Sequence, residues 1–318
     1  MTLGSLPFLE KLAPCKRVLL AGAGGGFDIL TGVPLYHHLK SQGKEVFLAS
    51  LSFSELARAS GRWTGSAKRI LEVRPGCGGE DHYFPERYLS EWFQSQGEDV
   101  PIYSFRTAGA AILLQIYQDL VKELDLDAVV LVDGGTDSLM RGDEPGLGSP
   151  AEDMSSIAAV HKLDLPVRLL LNLGFGVDTH HGVCHAHVLE AVADLTPTGD
   201  FLGAFSLLPG MPEFQAFAEA VRFVCERMPG HESIVTTSIV AAGEGQFGDH
   251  HATARTHGTP QFINPLMSMY WGFELDGVAR RCLYLDYLLE TYDRWDVHRA
   301  ISNFLYTVTP REWQTIPL

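Results

Sequence analysis

The chain has 318 residues, a formal charge of −15, 46% hydrophobic residues and 20% charged residues, a balance that supports a large packed core and excludes a disordered chain. So acidic a molecule repels a phosphate backbone, which excludes DNA and RNA as partners. No stretch approaches the ~20 consecutive apolar residues of a membrane span, and the opening MTLGSLPFLEKLAP lacks the basic flank and apolar core of a secretion signal.

The five cysteines, Cys15, Cys77, Cys184, Cys225 and Cys282, are scattered and contain no C-x-x-C pair. A cytoplasmic protein with reduced thiols is expected. The length suits one α/β domain over residues 1–318 with long functional loops.

In chain order, an apolar run at 17–21 ends in Gly22-Ala23-Gly24-Gly25-Gly26-Phe27-Asp28 and continues into a helical stripe through Ile29, Val33 and Tyr36, which reads as strand, turn and helix. A second buried-type strand at 45–49 is followed by Ser50, Ser52 and Ser54. Residues 60–100 are richer in Gly, Pro and charge, and are expected to form an excursion, such as a lid. Alternation then resumes with a strand at 102–105, a helix over 110–124 and a strongly apolar strand at 128–132 whose carboxyl end is Asp133.

Further on, a helix near 154–161, a strand at 167–172, a Gly- and His-rich loop at 174–182 and a helix over 184–195 are predicted. The final third predicts a helix at 213–226, a strand at 233–241, a loop at 243–260 and aromatic-rich helices over 265–304. This alternation implies a Rossmann-like, doubly wound, mostly parallel sheet with helices on both faces. Ligands in such folds bind beyond the carboxyl ends of the strands, so four loops are the candidates.

In the first loop, Gly22, Gly24, Gly25 and Gly26 permit close backbone approach, and the following helix start would cradle an anion. Asp28 either caps that helix or holds a metal or a substrate amine. The G-x-G-x-x-G fingerprint is only partly met, because its last glycine falls on Phe27, and the second strand ends in serines where NAD sites carry an acid. Ser50 and Ser52 become ligand-binding candidates instead.

The second loop, Asp133-Gly134-Gly135-Thr136-Asp137-Ser138-Leu139-Met140-Arg141-Gly142-Asp143-Glu144, gathers four carboxylates, two hydroxyls and an arginine. Like charges held this close share a proton or recruit a hard cation such as Mg. Asp133 and Asp137 are candidate catalytic groups; Gly134, Gly135, Thr136 and Arg141 are candidate ligand contacts. The bland alternative has Asp137 and Asp143 capping turns with Arg141 neutralising them.

The third loop runs from Asn172 and Gly174 through Asp178, His180 and His181 to His185 and His187, and its imidazoles suit acid–base work near neutral pH, with Asp178 orienting one of them; the alternatives are a transition-metal site using His181 and His185, four apart, and purely structural histidines. The fourth loop adds His250, His251, Arg255 and His257. If both histidine loops meet above the sheet, seven of the 13 histidines converge.

The stretches Leu20-Ala21-Gly22-Ala23-Gly24-Gly25-Gly26-Phe27-Asp28 and Val132 to Glu144 resemble the prokaryotic domain-of-unknown-function family numbered 1152, and the resemblance runs over most of the chain. It implies a Rossmann-like enzyme and brings no established activity or site residues. Asp133-Gly134-Gly135-Thr136-Asp137 is also similar to a D-G-G-[NT]-[DE] stretch in D-glutamate cyclases, lyases that dehydrate an amino acid to its lactam.

These readings lead to an enzyme acting on a small anionic metabolite (phosphorylated, nucleotide-like or an amino-acid carboxylate) by acid–base or divalent-cation-assisted hydrolase, lyase or transferase chemistry. Asp133, Asp137, Asp178, His180, His181 and His250 would do the chemistry, and Arg255 would clamp charge. The alternatives are a noncatalytic sensor of a nucleotide-like ligand, or an enzyme dependent on S-adenosylmethionine or NAD. Homo-oligomerisation is left open.

Overall fold

The computed structural model of the protein describes residues 5–316. Its strands are β1 (Arg17–Gly22), β2 (Glu45–Ser52), β3 (Arg62–Thr64), β4 (Ile70–Val73), β5 (Ile102–Arg106), β6 (Ala128–Gly134), β7 (Val167–Leu173), β8 (Phe201–Ser206), the two-residue β9 (Gly248–Asp249) and β10 (Phe262–Ile263), and β11 (Met269–Glu274). The helices are α1 (Pro7–Leu12), α2 (Asp28–Thr31), α3 (Val33–Ser41), α4 (Pro85–Ser95), α5 (Ala110–Glu123), α6 (Pro150–His161), α7 (His185–Leu195), α8 (Pro212–Glu226), α9 (Ile234–Gly243), α10 (Leu275–Arg281), α11 (Leu285–Leu288) and α12 (Arg294–Leu305).

A nine-stranded sheet has the order β3-β4-β5-β2-β1-β6-β7-β11-β8. The central strands β5, β2, β1, β6 and β7 are mutually parallel, while β4 runs antiparallel to β5 and β11 antiparallel to β7. Parallel strands need crossovers, and the helices that provide them cover both faces. Side chains of β1 alternate accordingly: Val18 and Leu20 pack with α2, α3, α4 and α8, whereas Leu19 and Ala21 pack with α5, α6 and α7. The chain is therefore a doubly wound α/β protein, and the winding reverses between β1 and β6, where such folds open a crevice.

Three stretches differ from their predicted form. Residues 233–241, rich in β-branched side chains, read as a strand, yet they form α9, because the Ser233 hydroxyl accepts the Thr236 amide at 3.1 Å as an N-cap and the helix packs on the core beside Phe214 and Phe217. Within the stretch expected as helices over 265–304, Met269–Glu274 is β11, whose burial against β7 and β8 overrides local preference. Residues 60–100, expected as an excursion, carry β3 and β4 on the sheet edge and α4, which buries Trp92 and Phe93. Among the described residues no helix is long and apolar enough to cross a membrane.

Candidate functional site: a buried carboxylate cluster

β1 and β6 are neighbours, with Gly22 opposite Val132, so the loops that leave them emerge side by side. The glycine loop folds back on its own aspartate. Gly24 and Gly25 donate their amides to Asp28 Oδ2 at 2.8 and 3.2 Å, Gly134 donates to Asp28 Oδ1 at 3.3 Å, and Gly26 donates to the Leu51 carbonyl at 3.0 Å. The anion in the expected cradle is thus the Asp28 carboxylate itself. The helix it begins, α2, is four residues long.

Asp133 is 2% exposed on β6. Its Oδ2 accepts from Ser138 Oγ at 2.5 Å and from Asn172 Nδ2 at 2.6 Å. Asn172 reaches it because β7 places that residue directly opposite Asp133. Asp153, in the first turn of α6, completes a triad: Asp28, Asp133 and Asp153 each offer a carboxylate oxygen, all within 4.8 Å of one another. Asp153 Oδ1 is buried without a hydrogen-bond partner. It faces Gly24, where a Cβ would lie 2.6 Å from both Asp153 Oδ1 and Asp28 Oδ2.

Two more carboxylates flank the triad. Asp178 accepts the Thr136 amide at 2.8 Å and lies against Gly135, whose φ of +147° few side chains adopt. Asp137 accepts the Ser149 amide and hydroxyl at 2.8 and 2.9 Å. Thr136 Oγ1 and Asn172 Oδ1 are buried beside them with no partner.

Burial in a poorly polarisable interior disfavours the charged form of a carboxyl, and the Asp137 charge adds repulsion. Asp133, Asp153 and Asp178 are consequently held well above the usual carboxylate range, by burial first and Asp137 second. Asp28 is pushed up to about 7 for the same two reasons, with the Gly24, Gly25 and Gly134 amides pulling the other way. Among the described residues no arginine, lysine or histidine pairs with any of these five carboxylates. The oxygen-only donor set fits a hard divalent cation, which would replace the protons the buried acids otherwise hold.

Of the residues singled out from sequence, Gly22, Gly24, Gly25, Gly26, Asp28, Asp133, Gly134, Gly135, Thr136, Asp137, Asn172, Gly174 and Asp178 come together here. The others do not. The Arg141 guanidinium donates to Asp143 at 2.9 and 2.8 Å, so the neutralising role stands in place of a ligand clamp. Ser50 donates to the buried Glu86 at 3.0 Å, and Ser52 accepts the Ser54 amide at 3.1 Å.

His180 and His181 are exposed and stack on each other with ring centroids 4.0 Å apart. His180 Nδ1 bonds to the Val177 carbonyl at 2.8 Å, and Asp178 points to Thr136, so this aspartate orients neither imidazole. His180 and His185 line a cavity of about 710 Å³ with Phe262 and Leu266, whereas His250 lines another of about 620 Å³ between α8 and α9. His187 is buried in α7, and Arg255 donates to the Glu232 carbonyl. The histidine loops therefore do not converge, since residues 243–257 leave a helix and not a strand of the sheet.

Sequence reasoning missed Asp153, because an acid in the first turn of a helix is ordinary stabilisation of the helix dipole. It also missed Glu86, which is 0% exposed, receives the Ser50 and Ser54 hydroxyls and is pushed up to about 7 by burial. The Ser50, Ser52, Ser54 alternation was its only trace.

The family model described as "Protein of unknown function (DUF1152)" matches residues 95–310. No curated protein matches the chain. A solved structure, the zinc-inhibited form of teicoplanin deacetylase Orf2, aligns with 12% identity and a TM-score of 0.36 over 80% of this chain and 97% of that one.

Proposed function

The chain belongs to the family of unknown function DUF1152, and from its own residues we propose that it is an enzyme that binds a divalent cation such as Mg through Asp28, Asp133 and Asp153 and hydrolyses a small anionic metabolite. The observation that carries this reading is the approach of three carboxylate oxygens to within 4.8 Å without a cationic partner. Leaving such groups charged and unpaired is costly, so they hold either protons or an ion. Three oxygens and no sulfur or imidazole favour magnesium-like ions over zinc.

When bound, such an ion supplies Lewis acidity toward an anionic substrate and a more acidic water. The protein side of the reaction falls to named groups. Ser138 and Asn172 fix the Asp133 carboxylate through Oδ2, so that Asp133 would hold the ion in a set orientation. Asp178, held by the Thr136 amide beside the triad, would act as general base once the charge of a bound cation had displaced the proton that burial and Asp137 otherwise keep on it. Asp137, fixed by Ser149, keeps the local field negative, which draws positive charge, as protons or as a cation, onto its neighbours. The Gly24 and Gly25 amides, being committed to Asp28, support a carboxylate holder and not a dinucleotide pyrophosphate loop.

Titration of EDTA-stripped protein with Mn2+, followed by calorimetry and by electron paramagnetic resonance, tests the proposal. One equivalent should bind, and Asp153→Asn should weaken it more than about tenfold. With Mn2+ present, 4-nitrophenyl phosphate should be turned over by the wild type and not by Asp133→Asn. Absence of saturable Mn2+ binding would overturn the cation site and leave proton-sharing carboxylates; binding without turnover of this anionic ester would overturn hydrolysis alone.

A further inference from the structure

The carboxylates lie next to a second feature that they do not use. β2 and β5 end side by side, Ser52 opposite Arg106, and beyond them opens a cleft of about 600 Å³ lined by Ser52, Phe53, Arg106 and Arg294. Its wall toward the cluster is thin. The Phe53 ring lies over Gly25, where a Cβ would meet Phe53 Cζ at 2.7 Å, and the Gly25 amide donates to Asp28. On another side Glu152, also lining the cleft, immediately precedes Asp153.

Neither guanidinium has a close carboxylate partner, and Arg294 Nε donates to His298 Nε2 at 3.2 Å, leaving its terminal nitrogens toward the cleft. Arg106 meets Glu55 at 3.4 Å with side chains 55% and 50% exposed, and Arg294 meets Glu152 at 3.9 Å with side chains 61% and 13% exposed. Ion pairs this long and wet contribute little. A guanidinium presents a planar fork that matches a phosphoryl group far better than it matches one distant carboxylate. Two such forks converge on one cleft in a molecule of net charge −15. The apolar ring of Phe53, 52% exposed, forms a flat face in the same cleft.

We propose that this cleft is the binding site for a phosphorylated metabolite carrying a flat ring, a nucleotide in chemical class, with Arg106 and Arg294 on the phosphoryl oxygens and Phe53 stacked on the ring. This deepens the cation-assisted reading and rests on it for the fate of the ligand: the bound molecule lies one side chain away from the cation ligands. Binding itself does not depend on the ion. Glu55 and Glu152 compete with the ligand for the two arginines.

AMP binding measured by calorimetry in EDTA tests the site apart from the cation. The double variant Arg106→Ala/Arg294→Ala should weaken AMP by about tenfold or more. Glu55→Gln and Glu152→Gln should each tighten it, a gain that a damaged fold cannot imitate. Ribose 5-phosphate should bind more weakly than AMP to the wild type, and Phe53→Ala should abolish the difference. The wild type should bind AMP in EDTA whether or not the Mn2+ titration saturates, so a failed cation site and a failed cleft give different results. No saturable AMP binding at millimolar concentration, or AMP affinity unchanged in the double arginine variant, would overturn the proposal; equal affinity for AMP and ribose 5-phosphate would remove the stacking role of Phe53.

Discussion

The loops after β1 and β6 and the two histidine-bearing loops are alike in composition, each rich in glycine, acid and a potential ligand side chain, yet the carboxylate cluster draws on the first pair and on Asp178 alone of the histidine-bearing loops. Adjacent parallel strands deliver Gly24 and Asp133 to the same rim, and Asn172 and Asp178 follow from the next strand over. The histidines lack that common origin: His180 turns outward from the loop after β7, and His250 follows α9. Convergence is inherited from the sheet, and residues that do not leave it at the same edge do not share a site.

The two regions should answer pH in opposite directions, and this is the largest effect expected. Asp28, Asp133, Asp153 and Asp178 have folded-state proton affinities raised above the unfolded value. Between about pH 4 and 7 the folded chain therefore binds more protons than the unfolded one, and stability falls as pH rises through that window. Asp28 alone, shifted from 3.8 to about 7, corresponds to on the order of 4 kcal/mol. His187, 0% exposed, is shifted down chiefly by burial, so its contribution is present above the unfolded value of 6.5 and is lost as pH falls below it through the lowered folded value. Urea unfolding in EDTA should show stability declining from about pH 5 toward 7. A shallower decline in Asp153→Asn, and recovery on adding Mg2+ that grows with pH, assign the slope to the carboxylates; a flat profile in EDTA would contradict their burial as free acids.

A smaller effect should come from the backbone that keeps the carboxylates together. Gly135 has φ +147° and its missing Cβ leaves the space occupied by Asp178. Gly135→Ala should destabilise the protein by about 2–3 kcal/mol from backbone strain and displaced packing. Gly182, at φ +85° in the histidine loop, has only the Gly146 Cα within reach of a Cβ, at 3.4 Å. Gly182→Ala should therefore cost about 1–2 kcal/mol, from strain without the clash. Differential scanning calorimetry ranks the two, and an equal cost would mean that the Asp178 contact contributes nothing.

The sheet, its winding and the first two loops were legible because their signals are local: apolar runs such as 128–132 ending at Asp133, and glycines packed directly behind 17–21. The partners of those loops were not. Asp153 looks like any first-turn acid until α6 is laid beside Gly24, and Glu86 meets Ser50 and Ser54 only through the packing of α4. The α9 segment carries a strand signal because Ile, Val and Thr favour extended backbone when nothing else decides, and the Ser233 cap together with burial decides otherwise. The histidines misled for the opposite reason. Their density in sequence is real, but density along the chain carries no direction, and direction is what places a side chain over a sheet.

That distinction yields the smallest expected effect, which is also the sharpest test of the comparison. The His180 ring hydrogen-bonds to the Val177 carbonyl, and His250 lines a cavity that none of the five carboxylates lines, so neither bonds to the carboxylate cluster. His180→Ala and His250→Ala should change Mn2+ affinity less than about twofold, the scale of an exposed substitution. Asp178, two residues before His180, should behave otherwise: its Asn variant keeps an acceptor for the Thr136 amide but loses the charge beside the triad. Asp178→Asn should leave the fold intact while lowering turnover and weakening Mn2+ modestly, by less than Asp153→Asn does. If a histidine variant abolished Mn2+ binding while Asp178→Asn did not, the imidazoles and not the acids would be the ligands, and the site would have to be moved to the outer face of the 177–181 turn.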